Sequence, residues 1–164
     1  MKEPETTHGS FVVERGIAQP PEEVFRYFAD ADRKRRWFVG DARDETSSYA
    51  LGFRVGGTES ARWAWRGGGP IPVGTIMGND AVVLDIVPHR RIVVAYSMLM
   101  ASDRFSSSLL TFEFLAEGTG TRLRATEQGA FFERSDGPEM RENGWRGLLE
   151  SLANAIDAEA RTSP

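Results

Sequence analysis

The sequence predicts an α+β fold made of a strand, two short helices, a long antiparallel sheet and one long amphipathic helix at the C-terminal end. Three observations carry that reading. Gln19-Pro20-Pro21-Glu22-Glu23 switches the chain from strand to helix; residues 40–129 hold short apolar runs parted by glycine-rich turns; and residues 145–156 repeat apolar side chains at helical spacing. The sheet is expected to be antiparallel because no helical segment separates its strands, as alternating βα units would require.

The elements follow in order. Residues 11–17 begin as an apolar, β-prone run. Prolines are tolerated in a first helical turn and acidic groups there oppose the macrodipole, so Pro20, Pro21, Glu22 and Glu23 start a helix whose Val24, Phe25 and Phe28 share one face. Asp30 is placed to cap a second short helix that runs through Arg33-Lys34-Arg35-Arg36 to Trp37-Phe38. Turns are expected at Gly56-Gly57, Gly67-Gly68-Gly69-Pro70, Pro88-His89-Arg90-Arg91, Ala101-Ser102-Asp103 and Glu117-Gly118-Thr119-Gly120. Between them, strand alternation puts Ile92, Val94, Tyr96, Met98 and Met100 on one face, and Leu110, Phe112 and Phe114 on a face of the next strand. Trp63 falls with Trp65, and Leu123 with Ala125 and Glu127. Asp136-Gly137-Pro138-Glu139 reads as a helix start, and Trp145, Leu148, Leu149, Leu152 and Ile156 form the apolar stripe behind it. Residues 1–9 are expected to be a flexible leader, 10–158 a single domain and 159–164 a frayed end. A curved sheet around one helix leaves space that the helix face cannot fill, so a cavity is expected between them.

Composition narrows the function classes. In 164 residues, 40% hydrophobic and 27% charged content is that of an ordinary globular protein. With no cysteine, disulfides and thiolate chemistry are excluded and a reducing cytoplasm is the expected location. Twenty basic against 24 acidic residues leave a net charge of −4, the wrong sign for a nucleic-acid partner. Residues 1–10 carry no apolar signal region, and no run reaches the ~18 apolar residues of a bilayer span, so membrane insertion is not expected. His8 and His89 are the only histidines and lie far apart, so no zinc pair can form; neither a metal nor a cofactor is expected.

The sequence resembles the SRPBCC (START-like, Bet v 1-like) superfamily, and within it the family related to the C-terminal domain of the activator of heat shock protein 90 ATPase. The resemblance rests on Phe11-Val12-Val13-Glu14-Arg15 with Pro20-Pro21-Glu22-Glu23-Val24-Phe25; on Trp37-Phe38; on Phe53-Arg54-Val55-Gly56-Gly57; and on Leu84-Asp85-Ile86-Val87-Pro88 with Arg91-Ile92-Val93. It continues through Thr121-Arg122-Leu123, Thr126-Glu127-Gln128-Gly129 and Gly144-Trp145, leading to Leu148, Leu149 and Leu152. It implies a helix-grip fold, in which the sheet wraps the C-terminal helix around a mostly apolar cavity. Family members bind lipids, hormones or polyketide-like molecules, some relatives are cyclases or aromatases, and the eukaryotic activators bind the chaperone. The length is expected to hold one such domain without the activators' separate N-terminal module, as a monomer or homodimer.

Three functions follow as expectations: non-enzymatic binding of a hydrophobic or amphipathic small molecule, contact with a chaperone, or a cyclase- or hydrolase-type enzyme. For the first, the expected cavity residues are Trp37, Phe38, Trp63, Trp65, Met77, Tyr96, Met98, Met100, Phe112, Glu127, Phe131, Trp145, Leu148, Leu149 and Leu152. Most large apolar side chains of a domain must also serve as core. Glu127 is expected to face inward, where desolvation raises a carboxyl pKa or an arginine pairs with it; a purely structural pair is the alternative. Tyr96 is the second polar candidate, with a backbone-bonded core tyrosine as its alternative. Ser106-Ser107-Ser108 has no nearby histidine and is expected at a surface strand edge. Residues 33–36 are expected to be a solvated basic face. Gly144 and Gly147 either keep the long helix shallow for a ligand or pack closely on the sheet.

Overall fold

The computed structural model describes residues 5–40 and 46–163. Pro20 caps the first helix with an extended backbone and Pro21 opens it, so β1 (Thr7–Ile17) passes directly into α1 (Pro21–Ala29). The Asp30 carboxylate accepts the Arg33 backbone N–H at 2.9 Å and starts α2 (Ala31–Phe38), as its position in the sequence predicts. The remaining strands are β2 (Ser48–Leu51), β3 (Thr58–Ala64), β4 (Ile76–Val87), β5 (Arg91–Met100), β6 (Asp103–Glu117) and β7 (Gly120–Phe131). The helix α3 (Gly137–Thr162) closes the chain.

All seven strands form one antiparallel sheet in the order β1-β7-β6-β5-β4-β3-β2. Hairpins connect β2 through β7 in sequence, and β1 is brought back to pair with β7, so that Phe11 lies opposite Glu127. The fold is the expected α+β helix-grip arrangement. Its turns fall where the glycines predict them. At Gly57 the fit is absolute, because a Cβ there would stand 1.9 Å from the Gly52 carbonyl oxygen.

The core forms where α1, α2 and α3 cover the inner face. Phe28 packs on Trp37, Phe112 and Phe114 with ring centroids 4.9–5.1 Å apart, edge-on or tilted as aromatic quadrupoles prefer. Leu149, Leu152 and Ile156 of α3 are buried with them, and α3 rests on β1 and β7 and against α1 and α2.

Several boundaries differ from expectation. β1 already begins at Thr7, inside the expected leader, because its backbone pairs with Phe131. α3 continues to Thr162 through the expected frayed end, where Glu159 is tied to α1 and α2. Residues 1–4 of the leader and residue 164 lie outside the described residues. β5 alternates cleanly through Tyr96 and then meets a bulge: pairing passes from Met98 opposite Ser106 to Leu99 opposite Arg104. Phe105 is the extra residue. It is buried along with Leu99, while Met98 and Met100 are left half-buried.

Candidate functional site

Cross-strand pairing arranges inward side chains in rows. One row runs Glu59, Ala81, Tyr96 and Ser108; the next runs Ala61, Asn79, Met98, Ser106 and Phe131. On one side of these lie Val83, Val94, Leu110 and Glu127; on the other lie Trp63, Met77 and Met100. The inner face therefore carries a polar band between two apolar zones.

Glu127 borders that band at the end of the adjoining row and is wholly buried. Its carboxylate accepts hydrogen bonds from the Tyr96 hydroxyl, from Trp145 Nε1 at 3.1 Å and from the Ser108 hydroxyl at 3.3 Å. Arg141, 6% exposed, approaches it at 3.5 Å. The guanidinium also donates to the Tyr96 oxygen at 3.0 Å, to the Ser106 hydroxyl at 2.8 Å and to both oxygens of Asp136 at 2.9 and 3.0 Å. It stands over the ring of Phe131, 5.2 Å from the centroid. Burial pushes the Glu127 carboxyl above its ordinary value, against the pull of Tyr96 and Arg141. The same desolvation raises the Tyr96 phenol. For Arg141, burial opposes the charge, but Tyr96, Asp136 and Glu127 outweigh it and keep the group protonated. Every lone-pair direction of Glu127 thus faces a donor of the protein itself.

A second buried pair lies at the β2 side. Lys34 bonds Glu59, which also accepts from the Tyr49 hydroxyl at 2.6 Å. The Lys34 ammonium sits 5.1 Å from the Phe38 ring centroid, and Phe38 stacks on Trp145 at 6.3 Å. An aromatic pair therefore bridges the two ionic clusters.

Residues 18–157 match the family described as activator of Hsp90 ATPase homolog 1-like protein. The chain belongs to that family. Among solved structures, a protein from Rhizobium loti is 42% identical with a TM-score of 0.80, over 92% of this chain and 99% of that one. A protein from Rhizobium leguminosarum is 32% identical, TM-score 0.85, over 96% and 99%. The Aha1 dimer from Colwellia psychrerythraea shares the fold at 19% identity and TM-score 0.60, over 90% and 96%. No curated protein matches.

In this member of the activator-homolog family, Trp37, Phe38, Phe112, Tyr96, Glu127, Phe131 and Trp145 lie around the described clusters. Trp37 is core, its Nε1 donating to the Tyr27 carbonyl at 2.8 Å. Leu149 and Leu152 are buried and Leu148 is half-buried beside the core. Trp63, Met77, Met98 and Met100 gather at the other end of the inner face. Trp65 lies past the end of β3, and its indole packs on Gly67 of the following loop.

Three expectations need correction. Ser106 and Ser108 are not at a surface edge: β6 is an inner strand, and both are buried against Arg141 and Glu127. Lys34 is not solvated, because its position on α2 turns it to the same side as Trp37 and Phe38, toward Glu59. Gly144 and Gly147 are exposed, and a Cβ at either meets nothing within 4 Å, so they neither shape a ligand space nor pack on the sheet. The helix start expected at Asp136-Gly137-Pro138-Glu139 is where α3 begins, and the Asp136 carboxylate there binds Arg141.

Arg141 itself escaped the sequence reading. The available signal was its place one turn before Trp145 on the stripe that continues through Leu149, Leu152 and Ile156. Asn79 was missed too: it is 4% exposed, its Nδ2 faces Met98 Sδ at 3.6 Å, and its Oδ1 has no partner. Such an orphaned acceptor costs about 1–3 kcal/mol. Among the described residues, no three His, Cys, Asp or Glu groups converge as metal ligands. No described helix is long and apolar enough to cross a membrane.

Proposed function

We propose that this protein binds a hydrophobic or amphipathic small molecule, lipid or polyketide-like, between the sheet and α3, without transforming it. The observation that carries the reading is the zone of Trp63, Met77, Met98 and Met100. These side chains lie on the inner face, yet three of them remain half-buried, beside the polar band. α3 rests on β1 and β7, away from this end of the sheet, which leaves these side chains without a helix above them. Methionine thioethers adapt to varied apolar shapes, and a few polar groups among them fix orientation. Glu127 is saturated by its own donors, which supports a binding role over general-base chemistry.

The test is a thermal-shift screen with fatty acids and polycyclic phenols, followed by structures of any hits. A ligand present at ~100 times its Kd stabilises by about 2.7 kcal/mol, readily seen as a raised Tm. No shift and no bound density across the panel would remove the proposal. The enzymatic alternative needs a turnover that Glu127→Gln or Tyr96→Phe abolishes in a protein that still folds.

The family description favours a second reading, binding to the Hsp90-type chaperone. A pull-down and an ATPase assay with that chaperone test it directly. Neither retention nor stimulation would end it.

A further inference from the structure

Among the described residues of the inner face, Asn79 is the side chain whose amide the surrounding protein leaves half-satisfied. It sits on β4 between Ala61 and Met98, with the Trp63, Met77 and Met100 row beside it. The contrast with its polar neighbours is sharp. In the same row the Ser106 hydroxyl bonds Arg141, and one row further Tyr96 bonds Glu127, whereas Asn79 Oδ1 meets no donor at 4% exposure. Buried amide oxygens in folded proteins nearly always have a partner, so this acceptor calls for a donor that the protein itself does not supply. The nearest sulfur, Met98 Sδ, satisfies only the amide nitrogen and offers no hydrogen to the oxygen.

Building on the small-molecule reading above, we propose that Asn79 is the polar recognition point of the ligand site: its Oδ1 accepts a hydrogen bond from a hydroxyl or N–H donor of a bound molecule whose apolar body rests on Trp63, Met77, Met98 and Met100. The ligand class is therefore narrowed. A bare hydrocarbon leaves the acceptor stranded, and a carboxylate presents a second acceptor to it; a neutral phenol, alcohol or amide fits. A site built around such a bond discriminates strongly against an isostere that lacks the donor.

The experiment uses two probes of nearly equal shape, 2-naphthol and 2-methylnaphthalene, titrated at neutral pH against the full chain and its Asn79→Leu variant. Expected is a loss of about tenfold in 2-naphthol affinity in the variant, with 2-methylnaphthalene binding unchanged or tighter. The unliganded variant should also unfold at a higher midpoint than the parent, since it no longer buries an unpaired amide. If both probes bind the parent and the substitution changes them by the same factor, or changes neither, a buried water is the amide's only partner; the Asn79 assignment is overturned while the binding site stands. If neither probe binds the parent, the site reading fails and this assignment with it. Should Asn79→Leu lack the parental circular dichroism spectrum, Asn79→Ala carries the same comparison.

Discussion

Arg141 joins one end of α3 to the middle of the sheet through charge in a place that excludes water. It serves Glu127, Asp136, Tyr96 and Ser106 at once, and three rings surround it. Removing one member of such a buried network leaves the others uncompensated, so Arg141→Met is expected to cost about 3–5 kcal/mol in urea unfolding at neutral pH. The penalty should shrink as pH falls, because Glu127, already raised by burial, takes up a proton more readily and then no longer needs the cation. A pH-independent loss would show that the charge of Glu127 is not what Arg141 compensates. Adding Glu127→Gln to Arg141→Met should destabilise by less than the sum of the two single changes.

At the scale of elements, α3 is tethered at both ends by charged side chains, Arg141 near its start and Glu159 near its finish. Its far end is held by Glu159, which accepts from Tyr27 and Arg33 and lies 3.5 Å from Arg36. The Arg33 hydrogen bond, with that of Tyr27, lowers the Glu159 carboxyl below its usual value. A depressed carboxyl contributes stability above its unfolded value and loses it as pH falls. Stability should thus decline below about pH 4.5, and Glu159→Gln should flatten that limb; an unchanged acid limb would disconnect the tether from stability. Mid-helix, Gly144 and Gly147 face solvent with open space around them. Replacing either by alanine should add about 0.5–1 kcal/mol in the same unfolding assay. A destabilising result would mean that something docks on that face.

Across the whole molecule, the element order was legible because glycine turns and side-chain periodicity are local signals. The direction of Glu127 followed from alternation with Leu123 and Ala125. What stayed hidden were positions decided by contacts far apart in the chain. Lys34 and Arg141 look solvent-facing until Glu59 and Glu127 are brought beneath them, and Ser106 looks like an edge residue until β7 and β5 flank its strand. The β5 bulge likewise depends on its partner strand, so Phe105 could not be placed from period alone. The long-range element with most at stake is β1, which contributes Phe11, Val13 and Ile17 to the core and covers the edge of β7. A chain lacking residues 1–17 is expected to lose cooperative thermal unfolding and to bind an apolar dye. A wild-type-like transition would contradict that role.

The pairing of β1 with β7 also sets a clock on synthesis. Ile17 cannot meet its partner until Thr121 has been made, roughly 100 residues later, which at ~5–20 residues per second is about 5–20 s. Through that interval β1 stands without its neighbour. Synonymous codons that slow translation between residues 18 and 121 are therefore expected to lengthen the time β1 spends unpaired, although none of those residues changes.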